Sequence, residues 1–148
     1  MTIHTNERSV LAARTILGLA VGAGSIVALR FLSEQALMSL IPDAFSETGA
    51  NESLPLQIVM LGYALLYSLF GGYVTATIAG RAETRHALAL AVIHLLLGIF
   101  TVAESFERAP LWWHLVYLAV VAPGILLGGY MRANQAGRSD RVPLRGDR

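Results

Sequence analysis

Three side chains stand out in an otherwise apolar chain because they could titrate or pair there: Arg30, Glu34 and His94. Arg30 and Glu34 are four residues apart, the spacing at which a guanidinium and a carboxylate meet on one helical face. Two placements compete for them. At an outer membrane surface the pair would contribute roughly a few tenths of a kcal/mol. Inside the membrane Glu34 would be a costly, and therefore functional, carboxylate. The interfacial placement is the expected one, since the pair lies off the face that carries Gly18 and Gly22. His94 interrupts the apolar run "LALAVIHLLLGIF". A neutral imidazole bonded to a carbonyl, or to Tyr63 or Tyr67, is its ordinary role; a proton relay or ligand contact is the functional one.

Other chemistries lack their residues. There is no cysteine, so disulfides, thiolate metal sites and thiol nucleophiles are excluded. The chain has no phosphate-binding Gly-rich loop ending in Lys, no His-x-x-x-His, no acidic cluster in its apolar runs and no Gly-x-Ser-x-Gly. A haem held by His94 and His114 is not expected, because the first lies mid-span and the second near an outer face. No metal, cofactor or catalytic set is read from the sequence. The chain is therefore not read as an enzyme, and nucleic-acid binding has no support.

The elements that must position these residues follow from composition. Of the 148 residues 55% are hydrophobic and 14% charged, against about 25% charged in a soluble domain. A bilayer core takes about 20 apolar residues per helix, and four stretches qualify: about 11–31, 55–78, 86–103 and 111–131. The first resembles a signal peptide, with Arg8 and Arg14 ahead of its apolar run, but it lacks a clean small-x-small cleavage site and is read as retained. Residues 1–10 form a short N-terminus, 11–131 the transmembrane domain, and 132–148 an Arg-rich tail expected to be disordered, with anionic lipid as its natural partner. The helical pattern of the first span continues through "FLSEQALMSLI" as far as Pro42.

Orientation follows from arginine, the only Lys/Arg-class residue used. Arg8 and Arg14 precede the first span, Arg81 and Arg85 lie in the middle loop, and five arginines occupy the tail. The first loop carries Asp43, Glu47 and Glu52 with no arginine, and the third carries Arg108 beside Glu104 and Glu107. The positive-inside rule places both termini in the cytoplasm. Trp112 and Trp113 would then anchor the outer interface, and Arg81 and Arg138 the inner one. All-arginine usage fits a GC-rich bacterial genome, and the chain is expected in a bacterial inner (plasma) membrane.

An internal repeat supplies the packing. "GGYVTATIAGR" (71–81) returns as "GGYMRANQAGR" (128–138), with seven of eleven positions identical. Gly72, Ala76 and Gly80, and likewise Gly129, Ala133 and Gly137, are spaced four apart on one helical face. Such faces let backbones approach in lipid, as do Gly18 and Gly22 in the first span and Gly98 in the third. Gly80 and Gly137 are expected as left-handed C-caps, with the following arginine complementing the helix dipole. A weaker echo links "RTILGLAV" (14–21) to "RHALALAV" (85–92). The expected fold is an all-α membrane protein, four helices arranged as two parallel-repeat hairpins. In the third helix Ala87, Ala91, His94, Gly98, Thr101 and Ser105 form one small and polar stripe, expected to face the bundle interior.

Glu34 late in the first helix, Pro42 after it, Gly71-Gly72 in the second, Pro110-x-Trp112 opening the fourth and Leu127-Gly128 near its end together resemble a family of small bacterial four-helix membrane proteins of no assigned activity. That resemblance implies a fold and a location. The expected function is a structural or accessory membrane component that self-associates or binds a membrane-protein partner through its helix faces. The alternative is a small proton-coupled transporter or carrier using Glu34 or His94.

Overall fold

The computed structural model describes residues 3–46, 53–104 and 110–139. It is helical throughout, with α1 (Ile3–Leu40), a short 3-10 turn (Pro42–Ala44), α2 (Leu54–Ala79), α3 (Glu83–Glu104) and α4 (Leu111–Ser139). Each α-helix contains a stretch long and apolar enough to cross a membrane. Their outward faces are Leu, Ile, Val and Phe, among them Ile16, Val27, Phe31, Leu66, Leu96, Phe100 and Leu115. Apolar residues that face outward in this number suit a lipid solvent.

The helix ends follow local chemistry. Pro42 offers no amide to continue α1, and Ile41 before it takes an extended φ of −137°. Pro55 sits in the first turn of α2, where its missing amide costs nothing. Gly80 closes α2 in the left-handed conformation, φ 64°, its amide donating to the Ala76 carbonyl at 3.1 Å. The cation that meets this end is Arg14 of α1, whose Nε donates to the Ile78 carbonyl at 3.2 Å. Arg81, expected in that role, is exposed.

The turn into α3 is tight. Ala82 holds a positive φ of 48°, and its carbonyl accepts the amides of Arg85 and His86. An L-residue there costs about 1–2 kcal/mol. Ala82→Gly should therefore raise stability by about 1 kcal/mol in a micellar unfolding titration; a loss would mean that Ala82 contributes a contact that outweighs its strain.

Helix bounds depart from expectation at both termini. The structure starts α1 at Ile3, and α4 runs on to Ser139, so residues 132–139, read as disordered tail, are helical. Residues 140–148 lie outside the described residues. Gly137 does not cap: among the described residues positive φ is confined to Gly80 and Ala82. A hydrogen bond from the Tyr73 hydroxyl to Gln135 Oε1, at 2.8 Å, ties this extension of α4 to α2.

The most extensive contact is between α2 and α4, followed by α1 on α2 and α3 on α4. Gly124 lies beside Leu65 and Ser68, Gly72 against the Ile125 backbone, and Gly128 against the backbone of Leu69 and Tyr73. These positions rise together along both chains, so α2 and α4 run in the same direction. A second seam joins α1 to α2, where Gly18 and Gly22 meet Thr75 and Gly71, and the Thr75 hydroxyl donates to the Gly18 carbonyl at 3.1 Å. A third places Gly129 on Ala87 of α3. The two Gly-Gly pairs divide their work differently: Gly71 faces α1 and Gly72 faces α4, whereas Gly128 faces α2 and Gly129 faces α3.

Candidate functional site

Over its length α1 packs on α2, far less on α3, and scarcely approaches α4. Side chains fill the gap between α1 and α4. Arg30 of α1 reaches across it, its guanidinium carbon 5.5 Å from the centre of the Tyr117 ring of α4. Two hollows meet there and share Ile26, Arg30, Trp113 and Tyr117 in their walls. The smaller extends toward α2, against Tyr63 and Tyr67, whose rings stack 6.0 Å apart. The larger, a cavity of about 220 Å³, opens toward α3 and is walled there by His94, Leu97, Gly98, Thr101 and Val102.

The α3 stripe positions His94. Ala87, Ala91 and His94 are buried, Gly98 is half-buried, and Thr101 lines the cavity although exposed; Ser105 lies outside the described residues. From α4 comes an aromatic wall. The Trp113 ring stacks on Tyr117 at 5.3 Å, meets His114 edge-on at 5.5 Å, and its indole N–H donates to the Gln57 carbonyl at 3.4 Å. This corrects the expected role of Trp113. It is only 9% exposed and forms part of the interior, while its neighbour Trp112, at 40%, keeps the outward position expected of an interface anchor.

Three buried polar atoms in this region have no hydrogen-bond partner among the described residues: His94 Nδ1, His114 Nε2 and Tyr67 Oη. Of the partners named for His94, a carbonyl, Tyr63 or Tyr67, the Tyr67 hydroxyl does not bond it. Each such atom costs about 1–3 kcal/mol relative to a satisfied one, and a membrane core holds no bulk water to compensate. His94 and His114, expected at separate depths, line the same cavity. Among the described residues no three His, Asp or Glu side chains gather as metal ligands.

Arg30 brings a planar guanidinium with five N–H donors to the site. Its carboxylate neighbour is loosely held: Arg30 Nε and Glu34 Oε2 are 4.0 Å apart, with the two side chains 42% and 31% exposed. At that distance and exposure the pair neutralises Arg30 poorly. Glu34 does not line the cavity, and Arg30 does. Of the candidates from sequence, Arg30 and His94 come together and Glu34 remains at the margin. Tyr117 was not singled out in the sequence, and Trp113 and His114 were named there in other roles. A helical wheel of α4 could have found most of them, because Trp113, Tyr117, Val121, Gly124 and Gly128 repeat at 4, 4, 3 and 4, the same kind of inward stripe as in α3.

No family model, curated protein or solved structure matches the chain. What the fold and the cavity define is a small multi-helix protein of membrane type with a polar, cationic recess in its interior.

Proposed function

We infer that this is a small proton-coupled carrier of a bacterial inner membrane, with both termini in the cytoplasm and without catalysis of its own. One observation carries the reading: His94, in the middle of an apolar helix, is buried with a ring nitrogen unpartnered among the described residues, in the wall of a cavity that also holds Arg30. Ionisable groups inside a membrane mark solute and proton paths, because nothing else recovers their cost. An accessory role through helix faces has less support, because most of the small-residue faces are used within the chain. Gly18, Gly22, Gly72, Gly98 and Gly129 all abut another helix of the same chain. Between the two titrating candidates the geometry favours His94 over Glu34.

The test is flux in vesicles with a trapped pH dye, presented with a panel of small acids, amines and neutral polyols. At least one solute should drive a change in lumenal pH above that of protein-free vesicles. His94→Ala should lower the rate by about tenfold or more, the scale of losing a positioned proton-transfer group, and Glu34→Gln should keep most of it. If no solute moves protons, the carrier reading fails.

A second reading has one observation of its own. Ala20, Gly24 and Ala28 of α1 are exposed, and a Cβ added at Gly24 would touch nothing. An accessory protein would use such a face for a second copy or a membrane-protein partner. Purification in native lipid with mass spectrometry decides that point, and recovery of a lone monomer counts against it. The two-hairpin repeat belongs to either reading, supported by the parallel course of α2 and α4 around the recurring Gly-Gly pairs.

A further inference from the structure

The larger cavity is chemically one-sided. Among the described residues its lining contains the Arg30 guanidinium, two imidazoles, His94 and His114, and no carboxylate. His94 is 7% exposed and His114 6%, and each holds a buried ring nitrogen that nothing among the described residues satisfies. They sit on different helices, α3 and α4, with Arg30 on α1 completing the third side. Three nitrogen-bearing side chains thus converge from three helices on one space. The remaining wall is apolar and aromatic, including Ile26, Leu97 and the stacked Trp113 and Tyr117.

We propose that this cavity binds a small organic monocarboxylate, the Arg30 guanidinium anchoring the carboxylate and the aromatic wall receiving its apolar body. A guanidinium in low dielectric prefers a planar two-oxygen anion, which it meets with two parallel hydrogen bonds. Glu34, at the 4.0 Å limit of an ion pair, leaves that fork available. The imidazoles supply further donors to the same anion when their inward nitrogens carry the proton. Size agrees as well. The cavity of about 220 Å³ exceeds the roughly 150 Å³ that accommodates a benzene ring, so a benzoate-sized acid fits.

This inference names the solute of the carrier proposed above, and the experiment separates the two. The full chain in nanodiscs of zwitterionic lipid is equilibrated with radiolabelled benzoate. The expected result is one saturable site per chain, competed by unlabelled benzoate and by acetate at higher concentration. Benzyl alcohol, which has the ring without the charge, should not compete. Arg30→Gln should weaken benzoate binding by about tenfold or more, the scale of a lost charge-assisted bidentate contact. Glu34→Gln should bind as tightly as the parent or more tightly. Arg30→Lys, which keeps the charge but not the fork, should fall between, and it serves as the variant if Arg30→Gln does not fold.

No saturable benzoate binding overturns the proposal, as does equal competition by benzyl alcohol or unchanged binding in Arg30→Gln. Displacement by inorganic phosphate, or by anionic lipid added to the nanodisc, at concentrations as low as those of benzoate would also overturn it, reassigning the cavity to phosphate groups. Proton flux with a different solute but no benzoate binding would overturn the ligand while leaving the carrier standing. Benzoate binding without flux would do the reverse.

Discussion

Gly128→Ala should cost at least about 3 kcal/mol of stability, the upper part of the range for a core forced to accept an extra methyl group. The added carbon would fall against the Leu69 carbonyl oxygen and the Tyr73 amide nitrogen. Both are main-chain atoms of α2, so no side chain can rotate away. The only relief is to separate α2 from α4 along the most extensive contact in the bundle. Gly72→Ala should behave alike, since its new carbon would meet the Ile125 backbone. Gly62→Ala is the control. Nothing lies within 4 Å of its added carbon, and alanine is the better helix former by about 0.5–1 kcal/mol. Unfolding of the variants in micelles, followed by circular dichroism, should rank Gly62→Ala at or above the parent and Gly128→Ala far below. If all three lie within about 0.5 kcal/mol of each other, the close approach of α2 and α4 is wrong.

Trp113 and Trp112 should differ sharply although adjacent. Trp113→Leu removes a ring stacked on Tyr117, an indole donor to the Gln57 carbonyl, and part of the cavity wall. In water, truncating a buried Trp to Ala costs about 3–5 kcal/mol. Here leucine retains some of the volume, and lipid is itself apolar, so the transfer share shrinks and packing plus the hydrogen bond remain. A loss of about 2 kcal/mol is the expected value from those parts. Trp112→Leu should stay within about 0.5 kcal/mol, as for an exposed position. The same micellar unfolding assay reads both, and equal losses would remove Trp113 from the interior.

The number and place of the helices were legible because each apolar run is long and the charges between runs are few. The inward stripe of α3 was legible too, since Ala87, Ala91, His94 and Gly98 keep helical spacing. What the sequence hid was the reach of long side chains. Arg30 was placed at the interface because its Cα lies off the Gly18–Gly22 face, yet its side chain crosses the gap to Tyr117. Periodicity locates backbones, not guanidinium groups. Trp113 was misplaced for a related reason. Two adjacent tryptophans point about 100° apart on a helix, so one can turn inward while the other faces lipid, and the motif does not say which. Gly137 copied Gly80 in sequence but not in conformation, because α4 continues past it while α2 must turn at Ala82.

The unequal lengths of the helices have a mechanical consequence. With 38 residues α1 is about 57 Å long, and α3 with 22 is about 33 Å. Only α3 matches a hydrocarbon layer of about 30 Å. α1 is clamped to α2 at its glycine seam, Gly18 and Gly22 near the middle of the helix, while further along it the long Arg30 side chain bridges the gap to α4. A helix held that way meets a change in bilayer thickness by changing its tilt. Tilt about the seam widens or narrows the space between α1 and α4. The thickness of the surrounding lipid is therefore expected to bear on the shape of the cavity.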